Sequence, residues 1–222
     1  DTGMNRLGLD PHDLSSELLD GLSIHTLMSH LACADEDHPL NDRQCAAFRP
    51  IPGRIPARRY SFANSAGILP GVDYAFDLTR PGIALYGGIP RPEAAGRLAQ
   101  VVRPHAQILQ RRRVRAGESV GYGATYVARE ERQAAILNLG YADGYLRGFS
   151  DTGGVLHEGR RLPLIGRVSM DLIAVDATDA PSLGEGDWLE IQFDLPTASA
   201  QSGLSQYELL TTMGRRYARN WA

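Results

Sequence analysis

The sequence predicts an α/β unit followed by a mostly antiparallel β-domain, and two textures along the chain carry that reading. Residues 1–96 alternate short apolar runs with helical patterns, as βαβ units around a parallel sheet do. Residues 97–222 instead hold closely spaced strand-like runs, most of them separated by Gly-containing turns. A Pro/Gly/Ala stretch from Pro90 to Gly96 marks the change.

In the first part, Leu14, Leu18, Leu19 and Leu22 recur at helical spacing after Pro11, which predicts a helix there. Ile24 to Ala32 reads as a strand, Asp35 to Asp42 as a polar loop, and Gln44 to Phe48 as a helix stopped by Pro50 and Pro52. Tyr60 to Asn64 and Tyr74 to Leu78 are short strands, the second broken off by Arg80-Pro81-Gly82. This part holds roughly four strands where a (β/α)8 barrel needs eight in about 250 residues. Four parallel strands alone leave two unpaired edges, so barrel sequence here amounts to the C-terminal half of one.

In the second part the expected strands are Val102 to Leu109, Gly121 to Ala128, Ala134 to Leu139, Leu162 to Val168, Leu172 to Val175 and Trp188 to Phe193. Gly153-Gly154 and Gly184-Glu185-Gly186 are turns, and one late helix covers Leu204 to Arg216.

Composition narrows the function classes. With 43% hydrophobic and 22% charged residues the chain is an ordinary globular protein with ample core material. A net charge of −3 gives no electrostatic reason for nucleic-acid binding, and Arg111-Arg112-Arg113 with Arg115 reads as a solvated strand edge. Cys33 and Cys45 form neither a disulfide framework nor a metal-ligand pattern, so no metal is expected. No stretch is apolar enough to span a membrane, and a reducing, cytoplasmic setting is expected. All 23 basic residues other than histidine are arginine. Without a lysine, the chain itself cannot form a Schiff base with a carbonyl cofactor. Asp1-Thr2-Gly3 at the start has no initiator methionine and reads as cut from a longer protein.

Three motifs carry chemistry: Gly121-Tyr122-Gly123-Ala124-Thr125-Tyr126, Gly140-Tyr141-Ala142-Asp143-Gly144 and Gly166-Arg167-Val168-Ser169-Met170-Asp171. Strands that hand over to Gly-containing turns hold polar side chains at fixed places over a pocket. Any one of them alone reads as a packed strand end. Together with Asp1 to Gly8, Ser29 to Asp35, Ala63 to Ala66 and Arg80 to Gly87, in that order, they resemble alanine racemase over nearly the whole chain.

That resemblance implies a homodimer of two-domain subunits using pyridoxal 5'-phosphate. Residues 1–96 would be a partial barrel that binds the cofactor. Residues 97–222 would be the β-domain, which contributes to the partner subunit's active site. The N-terminal barrel half, with the cofactor lysine, would be a missing partner, and the isolated chain inactive. By motif, Tyr122 matches one of two opposed catalytic bases. Two bases suit a reaction that removes a proton from one face of Cα and returns it to the other. Arg80 matches the group facing the pyridine nitrogen, and His30 one packed against the ring. Ser65, Gly82 and Ile83 match phosphate-binding positions. Arg6, Tyr141 and the Met170 backbone match groups near the substrate carboxylate or the cofactor's polar edge, and Arg147 and Arg167 an entry channel. Arg215 stands where some relatives place a phosphate-contacting tyrosine, and it is left out of the site. The substrate implied is a small amino acid, alanine first and serine not excluded. The competing readings are a non-catalytic assembly module and a fold-related amino-acid decarboxylase.

Overall fold

The computed structural model describes residues 1–15 and 17–221, and the chain divides into two compact units, Asp1–Ala99 and Gln100–Ala222.

The first unit is built on a parallel sheet of β1 (Thr26–Met28), β2 (Arg59–Asn64) and β3 (Leu78–Arg80), with β2 central. Ser61, Phe62 and Ala63 of β2 are all fully buried, as expected of a parallel strand covered on both faces. Helix α1 (Pro39–Phe48) packs Cys45 and Phe48 into a core with Leu31, Ile51, Ile55 and Phe62. Phe48 stacks on Phe62 with ring centroids 5.3 Å apart.

Four expectations for this unit are corrected. Helix α1 begins at Pro39, inside the stretch read as loop, because His38 accepts from Leu40 N–H and proline suits the first helical position. The strand read at Tyr74 to Leu78 lies later, at β3. Phe76 takes φ 48°, which breaks the extended run and turns its ring edge-on to Phe48, 4.9 Å away. Three strands rather than four are present among the described residues. The described residues of 11–22 form turns, not a helix. Leu18 and Leu22 are exposed there, and a short helix without a buried face is marginal.

The second unit contains β4 (His105–Val114), β5 (Ser119–Val120), β6 (Tyr126–Val127), β7 (Arg132–Leu137), β8 (Gly154–His157), β9 (Arg160–Pro163), β10 (Ile173–Asp176) and β11 (Trp188–Ile191). Six of them form an antiparallel sheet in the order β10-β7-β4-β11-β8-β9. An antiparallel bridge between Leu164 and Val175 joins the chain just past β9 to β10, so the sheet curls until its ends meet. Ile108, Leu137, Val155, Val175 and Ile191 fill the interior.

Gly153-Gly154 is not a turn: Gly154 opens β8, a strand the sequence reading missed. A side chain at Gly154 would crowd Leu162 O and Arg161, so the glycine reports strand proximity. The run Gly121 to Ala128 is not one strand. A 3-10 turn, Tyr122–Ala124, separates β5 from β6. The run read through Val168 ends at Pro163, where β9 stops. The expected late helix shortens to α3 (Gln206–Thr211), begun by the Ser205 cap, and a helix not read from the sequence, α2 (Leu195–Ser202), precedes it and ends at Gly203 with φ 73°.

Candidate active site

In the first unit, Arg80 at the end of β3 is held by acceptors from two segments. Its Nη1 donates to Ser61 Oγ (2.5 Å) and its Nη2 to Ser29 O (2.7 Å) and Phe62 O (3.3 Å). Ser61 Oγ gives its own proton to Leu78 O (2.6 Å), so towards Arg80 it acts only as an acceptor. The guanidinium is thereby fixed in place and in plane. Burial lowers its pKa, though an arginine remains charged in the neutral range.

His30 Nδ1 lies 3.3 Å from Arg80 Nη2. Arginine has no lone pair to offer, so Nδ1 accepts, and the neutral ring carries its proton on Nε2. Buried Gln44 holds this segment by accepting from Ala32 N (2.9 Å) and donating to His30 O (2.9 Å). Arg6 enters through the loop after Asp1, whose carboxylate accepts from the N–H groups of Gly3, Met4, Asn5 and Arg6. Arg6, Ser29, His30 and Arg80 together line a cleft of ≈ 320 Å³ with a cationic character.

The pKa of His30 is lowered, first by burial and then by Arg80 and Arg6. Between the lowered value and the unfolded value of about 6.5, the unfolded chain binds the extra proton. The stabilising contribution is therefore complete above that window and is lost as pH falls through it. Thermal melts are expected to show a stability loss below about pH 6.5 that is shallower in His30→Gln. Identical pH slopes for the two proteins would contradict this assignment.

Ser65 lies 17 residues before Gly82 in sequence but meets it in space, next to Ile83. Ser65 Oγ accepts from Gly82 N (2.8 Å) and Ala84 N (3.3 Å) where the short turn Ile83–Tyr86 begins. A hydroxyl and backbone N–H groups meeting at a turn start suit an anion such as a phosphate. These residues, with Arg80, fit a phosphorylated pyridine cofactor. The sequence contains no lysine to meet its carbonyl.

The second unit brings its three motifs together. Tyr122 sits on the turn between β5 and β6 with 65% of its surface exposed, flanked by Gly121 at φ 77° and Gly123 at φ 71°. A Cβ at Gly166 would overlap Val120 O, and one at Gly121 would press on the Arg167 backbone, so the turn lies directly against the 166–171 loop. The 140–144 loop lies against that same loop. Tyr141 N donates to Ser169 O (3.0 Å) and Ala142 N to Met170 O (2.9 Å), and a Cβ at Gly140 would collide with Met170. Arg147 covers the Tyr141 ring at 5.3 Å, a cation–π contact. The exposed Arg167 guanidinium flanks Gly123.

One residue of this cluster was not singled out from sequence. Arg216 donates from Nε and Nη2 to both oxygens of Asp143 (2.7 and 2.9 Å), and from Nη1 to Asp171 (2.6 Å). Asp143 lies within one motif and Asp171 ends another, and buried Asp143 in particular gains from a cation. That was the available signal. Arg215 is exposed.

Comparison with known proteins identifies the family. Family models match residues 1–90 as the alanine racemase N-terminal domain and residues 101–221 as its C-terminal domain. An alanine racemase of Rhodospirillum rubrum is 43% identical over 232 residues, covering 100% of this chain and 62% of that protein. One of Jannaschia is 46% identical over 222 residues, covering 99% of this chain and 63% of that protein. The crystal structure of alanine racemase from Bartonella henselae with covalently bound pyridoxal phosphate superposes with a TM-score of 0.86 at 40% identity, covering 100% of this chain and 64% of that one. The biosynthetic enzyme of Pseudomonas aeruginosa gives 0.86 at 37%, covering 100% and 65%. The chain thus spans a little over three-fifths of the length of these relatives. With both domain models matched in order across nearly all of its residues, the chain belongs to the alanine racemase family.

Proposed function

We propose that the chain is the C-terminal portion of a pyridoxal-phosphate-dependent alanine racemase that interconverts L- and D-alanine and works as a homodimer. The observation that carries this reading is Arg80, a buried-side guanidinium with its acceptors assigned, set in a cleft with His30 and Arg6. A fixed cation there suits an anionic cofactor and a carboxylate substrate. The cofactor supplies the means to stabilise negative charge at Cα. Arg80 would face its ring nitrogen and, unable to give up a proton readily, would leave that nitrogen unprotonated. Ser65, Gly82 and Ile83 would bind its phosphate, and His30 would lie against its ring. Arg6 orients the carboxylate side of the substrate together with Tyr141 and the Met170 backbone, which come, like Tyr122, from the partner's β-domain. Tyr122 of the partner's β-domain moves the proton at one face of Cα, and a lysine outside this chain serves the other.

The isolated chain, having no lysine, is expected to show no racemisation of L-alanine. Co-expression with a polypeptide that supplies further barrel strands and a lysine is expected to give cofactor-dependent activity. Conversion by the rigorously purified chain alone would overturn the division of labour.

A further inference from the structure

Arg216 has no assigned role, yet it meets two motif loops at once. The Asp143 side chain, 8% exposed, receives two guanidinium hydrogen bonds and also accepts from Gly140 N (2.9 Å). The same carboxylate therefore closes its own loop and anchors Arg216, and Gly214 N donates to Asp143 O (2.9 Å) to hold the chain end alongside. The third guanidinium bond reaches Asp171, next to Met170. A planar fork fitted two-to-one on a buried carboxylate has little freedom left, so the position of Asp171 follows from that of Asp143.

We propose that Arg216 is a positioning residue for the carboxylate side of the substrate site, acting through Asp143 and Asp171 to set the spacing between Tyr141 and the Met170 backbone. The inference rests on the racemase reading above and deepens it. The two loops already touch through the hydrogen bonds from Tyr141 N to Ser169 O and from Ala142 N to Met170 O. Arg216 ties the two loops once more, through side chains rather than backbone.

Asp171→Asn separates positioning from folding. Asp171 is 53% exposed and its ion pair adds little to stability, while the buried Asp143–Arg216 pair stays intact. In the cofactor-loaded racemase containing this chain, Asp171→Asn is expected to raise KM for alanine about 3- to 10-fold, with kcat changed less than about 2-fold. The melting temperature is expected to hold. The Tyr141 and Ala142 amides are expected to exchange with solvent faster. Arg216→Lys, which cannot hold both carboxylates in one plane, should give a similar rise in KM, and the double variant should add little to either. A purely electrostatic part for Asp171 predicts the opposite sign, because losing a negative charge near a carboxylate substrate lowers KM. An unchanged or lowered KM in an otherwise active enzyme overturns the clamp alone. A parent enzyme that binds cofactor but does not racemise alanine overturns both the clamp and the function on which it rests.

Discussion

Tyr122→Phe is expected to lower racemisation by about 10²–10⁴-fold, the usual contribution of a general acid–base group. The substitution removes one hydroxyl and keeps the ring. The ring is largely exposed, so packing loses almost nothing, and the turn is fixed by Gly121, Gly123 and Gly166 rather than by the phenol. The loss should be stereochemically lopsided. Exchange of the Cα proton with solvent should persist better for the enantiomer whose proton the lysine removes, and fall most for the other. Deuterium incorporation from each pure enantiomer measures both. Small, equal losses would make Tyr122 a surface aromatic and nothing more.

Arg80→Glu is the second large effect. Arg80 satisfies Ser29 O, Phe62 O and Ser61 Oγ by donation, and a carboxylate has no hydrogen to give them unless protonated. Each acceptor left unpaired in this partly buried setting costs about 1–3 kcal/mol, so the variant should be less stable. Losing a preorganised cation at the ring should cost racemisation on the order of 10²–10³-fold. A carboxylic acid can also share a proton with the ring nitrogen, so the absorption spectrum of the bound cofactor should change. An unaltered spectrum and rate would place Arg80 away from that nitrogen.

Much of this was legible because the site rests on glycines and short polar motifs with local causes. Gly140, Gly166 and Tyr122 stood out as motif residues, while Tyr122 and Arg80 took their roles from the resemblance to alanine racemase, since each alone reads as a strand-end residue. What escaped was set by contacts distant in sequence. Arg216 lies 73 residues from Asp143, and no periodicity links them. Helix α1 hides its start because Asn41 and Gln44, on its buried side, are polar and serve the 30–36 segment, which weakens the apolar pattern. Phe76 displaced a strand through a backbone angle that aromatic residues seldom adopt. The Leu14 to Leu22 stripe obeyed helical spacing, yet half of its leucines found no core.

The glycine contacts among the 121, 140 and 166 loops bear on how this domain tolerates change. Where backbone touches backbone, the close approach of the loops depends on glycine having no Cβ. Replacements at Thr125, Ala142 or Met170 can therefore alter what the surface recognises without moving Tyr122 or Tyr141. Any methyl group at Gly140 or Gly166 would shift them all. A library built to change substrate preference should vary the first set freely and leave the glycines untouched, since chemistry and geometry are here encoded at different positions.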